Sequence, residues 1–181
     1  SLDAGAQRID ILLKEGGLEE ITVIDNGRGM NQADLALCVE RHATSKISNT
    51  CDLETIRTFG FRGEALSSIA AVAEVEIRSR IEEVPSAYML SICVGEKTSL
   101  RPVSGSAGTS IQVRHLFQKI PARQKFLRSA ATEFSHCAKL LRELALGNPG
   151  TAFYLSHQGR LIHSYVGKNR SDRFRECFKT A

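Results

Sequence analysis

Residues 19–30, which read Glu-Glu-Ile-Thr-Val-Ile-Asp-Asn-Gly-Arg-Gly-Met, decide the fold of this chain. The first half of the stretch alternates polar and apolar side chains, which predicts a β-strand ending at Asp25. A carboxylate at the rim of a sheet accepts a hydrogen bond from an exocyclic amine such as that of adenine. Gly27 and Gly29 lack the Cβ atoms that would keep a purine from the backbone, and Met30 supplies a soft apolar wall. Alone, the segment is equally typical of an Asp-Asn-Gly hairpin turn.

A second glycine block lies about thirty residues further on, at residues 60–66, with the sequence Gly-Phe-Arg-Gly-Glu-Ala-Leu. Gly60 and Gly63 precede a predicted helix at 63–71, so backbone N–H groups here are suited to holding phosphates. Phe61 is expected to pack rather than to bind. Two alternatives are open for Arg62, which is a phosphate contact or a partner in a structural ion pair.

Between the two blocks, residues 42–46 read His-Ala-Thr-Ser-Lys, within a polar stretch at 42–60 that predicts a loop or lid. Thr44 and Ser45 offer hydroxyl groups and Lys46 offers a point positive charge, both of which suit a polyphosphate. An adenine pocket, a lid and a phosphate loop in this order indicate ATP binding. Neither glycine block has the Walker pattern or the dinucleotide-binding pattern.

The composition is that of one soluble domain. The 181 residues are 42% apolar and 24% charged, with no apolar run of membrane-spanning length and no secretory signal pattern. We therefore expect no membrane association and a cytoplasmic location. The five cysteines are scattered and form no Cys-x-x-Cys pair, which favours reduced thiols over disulfides or a zinc site and predicts no metal ligands.

Charge is unevenly distributed along the chain. Residues 1–113 contain 11 basic and 16 acidic side chains, a net charge of −5, whereas residues 114–181 contain 13 and 4, a net charge of +9. Such a basic half is either a solvated surface or a face that meets a polyanion. If it binds DNA, the contacts are to phosphate and indifferent to sequence. Arg123, Lys125 and Arg128 are the candidates because they cluster beside a predicted helix start.

Periodicity along the rest of the chain predicts a sheet with helices on one face. A helix tail is expected at residues 1–6, closed by Gly5, and Gly16-Gly17 is expected to be a turn. The predicted helices lie at 30–39, 63–71, 130–146 and 170–179. The predicted strands lie at 7–13, 19–24, 72–80, 87–94, 97–103, 109–114, 151–156 and 160–166. The fold class is therefore α/β (α+β), a two-layer sandwich with a mixed, mostly antiparallel sheet.

Four motifs carry a resemblance to a known family. They are DNGRGM at 25–30, RHATSKI at 41–47, TFGFRGEALSSIA at 58–70 and GTSIQVRHLFQKIPARQKFL at 108–127. Together they resemble the N-terminal ATPase domain of MutL-type DNA mismatch repair proteins, from Ser1 to about Ser164. These proteins belong to the GHKL (Bergerat) ATPases, with gyrase-type topoisomerases, ATP-clamp chaperones and sensor histidine kinases. Lys119 stands where the family usually has Asn.

The resemblance implies roles for individual residues. Asp25 would bind adenine, with Gly29 and Met30 lining its pocket. Thr44, Ser45 and Lys46 would belong to the lid, and Thr109 would complete the pocket from the sheet. The phosphate loop would comprise Gly60, Phe61, Arg62, Gly63, Glu64, Ala65 and Leu66. The cofactors implied are ATP and Mg²⁺.

The resemblance also implies a larger protein. The Asn that holds magnesium and the Glu that acts as general base would precede Ser1, so no catalytic residue is expected within the chain. The second N-terminal subdomain and the C-terminal domain would follow Ala181. As given, the chain is expected to be a single truncated ATP-binding domain with little or no ATPase activity.

Family members hydrolyse ATP slowly and use ATP binding to close an N-terminal homodimer on DNA, and they act with a mismatch-recognition protein of the MutS type. The parent protein would be cytoplasmic and nucleoid-associated in a bacterium, or nuclear in a eukaryote. Two alternatives are another GHKL ATPase and a non-catalytic DNA-binding or dimerisation module that uses the basic half of the chain.

Overall fold

One eight-stranded sheet organises the protein, and the computed structural model describes residues 1–40, 64–93 and 96–178. The strands are β1 (Arg8–Lys14), β2 (Glu20–Asp25), β3 (Glu74–Arg80), β4 (Ala87–Cys93), β5 (Glu96–Val103), β6 (Gly108–Arg114), β7 (Ala152–His157) and β8 (Arg160–Tyr165). Their order across the sheet is β5-β4-β3-β6-β2-β1-β7-β8. β1 and β7 are parallel, and the other neighbouring strands are antiparallel. The predicted mixed, mostly antiparallel sheet is confirmed.

The helices are α1 (Gln32–Leu37), α2 (Ala65–Ala70), α3 (Pro121–Gln124), α4 (Ala130–Gly147) and α5 (Arg170–Phe178). The predicted helix tail near the start is a short 3-10 turn, Leu2–Ala4, closed by Gly5 in the left-handed conformation. Pattern analysis missed α3 because four residues are too few to show a helical period; Pro121 at its first position fixes a helical φ there.

Two apolar cores lie on the same face of the sheet. In the first, α4 packs Leu141 and Ala145 against Ile9 of β1 and Phe153 of β7. In the second, Leu35 of α1 and Ala70 of α2 pack against β3 and β4. The predicted inward orientation of Val75 and Ile77 is confirmed, since both are buried in this second core. Helices on one face and an open sheet on the other make the predicted two-layer sandwich.

The turn between β1 and β2 holds the start of α4 against the sheet. Gly16 adopts a positive φ of 65°, and a Cβ atom there would lie 2.0 Å from the carbonyl oxygen of Ala130. Only glycine permits so close an approach of two backbones. The turn predicted at Gly16-Gly17 is present, as a 3-10 turn over Glu15–Gly17.

The last helix is fixed by a buried arginine. Arg173 of α5 is only 1% exposed, and its guanidinium group donates hydrogen bonds to backbone carbonyl oxygens on three segments. The acceptors are Ala145 at 2.7 Å, Asn148 and Pro149 at 3.2 Å, and Thr151 and Gly167 at 2.8 Å. One side chain thus joins the end of α4, the start of β7 and the loop after β8.

Candidate functional site

A row of polar side chains crosses the sheet where β2 ends. In the strand register Asp25 is opposite Thr109 of β6, and Thr109 is opposite Ser79 of β3. Residues opposite each other in a ladder point to the same face. Because Ile77, two residues before Ser79, is buried beneath the helices, this row also faces the helical layer. The sheet therefore brings together Asp25 and Thr109, which the sequence placed in one adenine pocket.

The carboxylate of Asp25 is buried, whereas the sequence predicted that it projects from the rim of the sheet. Its Oδ1 accepts a hydrogen bond from the N–H of Gly27 at 2.9 Å, and this bond fixes the orientation of the side chain. Its Oδ2 accepts a hydrogen bond from the hydroxyl of Ser1 at 2.6 Å. The two oxygens thus differ: one is held by the site loop itself, and the other is directed towards the chain start.

The glycines of the site loop permit close backbone packing. Gly29 has a φ of +72°, and a Cβ atom there would lie 2.0 Å from the carbonyl oxygen of Arg80. A Cβ atom on Gly27 would lie 2.8 Å from the Cβ of Ala4. The sequence explained both glycines by the approach of a purine, and the structure adds that the loop itself requires them.

Ser79 lies in the candidate site, although the sequence did not predict it there. Its hydroxyl accepts the N–H of Met30 at 2.8 Å and donates to the carbonyl oxygen of Gly108 at 2.9 Å. It also lies 2.9 Å from the hydroxyl of Thr109. Either hydroxyl of that pair can be the donor. The available signal was a serine at an inward position of β3, in line with Val75 and Ile77.

The site loop is also anchored to the start of the chain. The side-chain oxygen of Asn26 accepts the backbone N–H groups of Gln7 at 2.9 Å and Arg8 at 2.8 Å. The N–H of Arg28 donates to the carbonyl oxygen of Ala4 at 3.0 Å. These bonds hold the loop after β2 in one conformation, so the position of Asp25 is set by backbone contacts on both sides.

A cleft of about 610 Å³ lies beside α1. Met30 lines this cleft, and its backbone N–H donates to Ser79 of the polar row. The other lining residues come from α1, the β3–β4 connection, β4 and β5, among them Ala33, Val84 and Tyr88. Neither Asp25 nor Thr109 lines this cleft. We place the candidate site at the polar row because the acceptor and donor groups are there.

Part of the predicted phosphate site falls outside the described residues. These residues are Thr44, Ser45, Lys46, Gly60, Phe61, Arg62 and Gly63. Of the remainder, Glu64 precedes α2 and its carbonyl oxygen accepts the Ser67 hydroxyl at 3.0 Å. Ala65 begins the helix and is exposed, whereas Leu66 packs against the second core. Leu66 is therefore held in place by the core.

The three basic candidates for DNA contact are exposed around α3. Arg123 lies within the helix, with its guanidinium carbon 5.8 Å from the centre of the Phe117 ring, and Lys125 and Arg128 follow. Neither Arg123 nor Lys125 forms an ion pair with another described residue. Within the described ranges, the chain has no cluster of three or more His, Cys, Asp or Glu side chains suited to a metal. Nor does any helix there have the length and apolar character needed to cross a membrane.

Comparison with known proteins agrees with this geometry. Residues 1–125 match the family described as histidine kinase-, DNA gyrase B-, and HSP90-like ATPase. The chain is 44% identical to the DNA mismatch repair protein MutL of Herminiimonas arsenicoxydans, over 92% of this chain and 28% of that protein. It is 48% identical to MutL of Heliobacterium modesticaldum, over 94% of this chain and 26% of that protein. The ADP complex of the Aquifex aeolicus MutL ATPase domain superposes with a TM-score of 0.78 and 29% identity, covering 99% of this chain and 64% of that one.

The chain belongs to the family of histidine kinase-, DNA gyrase B- and HSP90-like ATPases. Within that family it is an ATPase domain of the MutL type, as the resemblance predicted. The chain spans 26% to 28% of the length of the two MutL proteins described above. The alternative of a different GHKL branch is not supported, because these relatives match more than nine-tenths of the chain.

Proposed function

We propose that this chain binds the adenine base of ATP at the polar row, with Asp25 as the residue that recognises the base. The observation that carries the proposal is the asymmetric carboxylate of Asp25. Because Oδ1 is held by Gly27, Oδ2 is the acceptor that a ligand amine would address. The nucleotide-bound state of a similar MutL ATPase domain supports the proposal.

The chemistry of the row favours adenine over guanine. An ionised carboxylate only accepts hydrogen bonds, so it pairs with the 6-amino group of adenine and repels the 6-oxo group of guanine. Thr109 adds a hydroxyl beside the carboxylate, and Ser79 fixes the backbone of Met30 at the edge of the pocket. Gly27, Gly29 and the phosphate loop from Gly60 to Leu66 complete the proposed site, with Thr44, Ser45 and Lys46 in the lid.

The residues described do not provide a magnesium site. No cluster of three or more acidic, histidine or cysteine side chains suited to a metal is present in those ranges. We therefore assign no magnesium ligand to the described residues and derive no step through the metal. We propose that the Mg²⁺-holding Asn and the general base belong to sequence outside residues 1–181, and that this chain alone hydrolyses ATP at no more than background rate.

Isothermal titration of ATP against Asp25→Asn tests the adenine assignment. The substitution keeps the shape of the side chain and removes a charge-assisted acceptor, which is worth roughly 1.5–3 kcal/mol or about 10- to 150-fold in Kd. The ratio of the affinities for ATP and GTP should fall in the same variant. Asp10→Asn is the matched control, because Asp10 lies on the neighbouring strand, points to the opposite face and pairs with Arg8. Equal ATP affinity in Asp25→Asn and the unchanged protein contradicts the assignment.

The exposed basic side chains around α3 support a second activity, weak binding of duplex DNA through phosphate. A triple Ala variant at Arg123, Lys125 and Arg128 should weaken binding and lower the slope of log K against log salt by up to about 3, since each phosphate contact contributes roughly 0.9. The control is a triple Ala variant at exposed basic residues on other elements, namely Arg101, Lys139 and Arg175. A folded α3 variant with an unchanged slope would exclude these residues.

We further propose the assembly that the MutL-type relatives suggest. The parent protein would form a homodimer through this domain when ATP is bound, close on DNA and act with a mismatch-recognition protein of the MutS type. It would reside in the cytoplasm of a bacterium in contact with the nucleoid, or in the nucleus of a eukaryote. The bacterial relatives named as DNA mismatch repair proteins support this setting.

A further inference from the structure

We propose that the outer edge of β8 binds an extended peptide segment with apolar side chains between acidic ends, which adds to the sheet as a further strand. β8 is the last strand of the sheet order. In the described part of the chain it pairs with β7 alone. An edge strand presents backbone N–H and C=O groups, and strand addition to such an edge is a general mode of peptide recognition.

The register shows which backbone groups face outward. The N–H of Ala152 donates to Gln7 and the N–H of Gln158 donates to Leu13, so even-numbered residues of β7 face β1. Odd-numbered residues of β7 therefore face β8, because backbone groups alternate along a strand. Their partners on β8 are Tyr165, opposite Phe153, and His163, opposite Leu155.

The residue between those two on β8, Ser164, consequently points its N–H and C=O away from the sheet. The register shift in β8 falls earlier, where Leu161 pairs with Ser156 and His163 pairs with Leu155. Ile162 is the extra residue of this bulge. The regular part of the edge therefore begins at His163, and Ser164 lies within it.

Exposed apolar side chains accompany these backbone groups. Leu161, Ile162 and Val166 are all exposed, at 59%, 45% and 47%. Leu161 is opposite Ser156, which is itself beside Leu12 of β1, another exposed apolar side chain. Every second side chain of a strand added beside β8 would lie on this open face, next to Leu161.

The opposite edge of the sheet is different in character. β5 has Pro102 in its sequence and the charged residues Lys97 and Arg101, features that protect edge strands from pairing. β8 has no proline and exposes the apolar side chains of Leu161 and Ile162 at 59% and 45%, whereas β5 exposes Leu100 at 36%. The two edges of the same sheet therefore differ in a way that favours strand addition at β8.

The basic side chains around β8 favour a peptide segment with acidic ends. No Asp or Glu occurs between Glu143 and Asp172. Arg160, at one end of the edge, and Lys168 and Arg170, beyond the other, are exposed. A second copy of this edge would bring like charges together, whereas acidic ends on a peptide would be attracted. A DNA backbone matches the charge but offers nothing to the apolar side chains.

The test uses a fluorescein-labelled peptide, Asp-Glu-Val-Thr-Val-Thr-Val-Glu-Asp, with capped ends, and measures binding by fluorescence anisotropy. Ser164→Pro removes the outward N–H and leaves the ladder to β7 intact, and Ser164→Ala is the matched control that keeps it. We expect at least tenfold weaker binding for Ser164→Pro and a change within twofold for Ser164→Ala. Binding should also slow amide hydrogen exchange at Ser164.

A charge-reversal variant keeps the proposal testable if Ser164→Pro does not fold. Arg160→Glu combined with Lys168→Glu should transfer the preference to the same peptide with Lys in place of its acidic residues. Equal binding of acidic and basic peptides by the unchanged protein would overturn the proposal. So would slow exchange of the Ser164 amide in the free protein, or displacement of the peptide by a DNA duplex with steep salt dependence.

Discussion

Replacing Arg173 by Met should destabilise this protein more than any change on the surface of the same helix. Met has a similar volume and occupies the same space without donors. The substitution removes the donors for all five carbonyl oxygens that Arg173 contacts, at distances from 2.7 to 3.2 Å. It also removes the charge 3.4 Å from Glu176. That carboxylate, which additionally accepts the N–H of Gly167, would remain without its cationic partner.

The size of the expected loss in the free energy of unfolding follows from the burial of Arg173. The Nε of Arg173 has no hydrogen bond despite its proximity to Glu176, so the contact with Glu176 is one of charge alone. Losing one partner of a buried ion pair costs about 3–5 kcal/mol, and the loss of the guanidinium donors to the carbonyl groups acts in the same direction. We therefore expect a loss of about 4 kcal/mol in the free energy of unfolding. For a domain of this size that corresponds to a fall in Tm of roughly 8–16 °C.

Urea denaturation followed by circular dichroism measures the loss. Arg175→Ala is the control, because Arg175 is two residues away on α5, its side chain is 75% exposed and its contact with Asp172 is a surface pair at 3.6 Å. The control should change stability by less than about 1 kcal/mol. If Arg173→Met loses no more than Arg175→Ala, the carbonyl contacts do not hold α5 and the reasoning is wrong.

Two further predictions concern the site loop and the α1 region. Gly29→Ala should lower the free energy of unfolding by roughly 2 kcal/mol or more, because the new Cβ would lie 2.0 Å from the carbonyl oxygen of Arg80 on a residue with a left-handed φ. Gly147→Ala is the control and should be nearly neutral in the same urea titration, since a Cβ there meets nothing within 4 Å. Equal losses in the two variants would refute the packing argument. Burial raises the pKa of the Cys38 thiol to about 11, above its unfolded value. The stability that the buried, protonated thiol contributes is complete below the unfolded pKa and is lost as pH rises through the folded pKa. Between pH 8 and pH 11 the free energy of unfolding should therefore fall further in the unchanged protein than in Cys38→Ala. Parallel pH profiles of the two proteins would contradict this.

The sequence by itself determined the elements that local periodicity encodes. The alternation in residues 19–24, the helical stripe at 130–146 and the Gly5 helix end all appear in the structure. Helical and strand periods repeat every few residues, so a short window contains the whole signal. The motif around Asp25 was readable for the same reason, because it follows a strand directly.

The tertiary structure alone decided which residues surround Asp25. Thr109 was expected from the family resemblance, but Ser79 had no local signal beyond a serine in an apolar pattern. Ser79 pairs with Thr109, and Thr109 with Asp25, through strand pairings between distant parts of the chain, which periodicity does not specify. The burial of the Asp25 carboxylate depends on the same pairings, so the position of Asp25 at the end of a strand did not by itself predict it.

Arg173 shows the same division most clearly. In the sequence it is one of three arginines in a polar helix at 170–179, where charged residues usually face water. The fold places the end of α4, the connection between α4 and β7 and the loop after β8 around it, and the carbonyl oxygens of these segments make a buried guanidinium favourable. Secondary structure here follows from neighbours in sequence, whereas burial of a charge follows from acceptors that only the packed chain assembles.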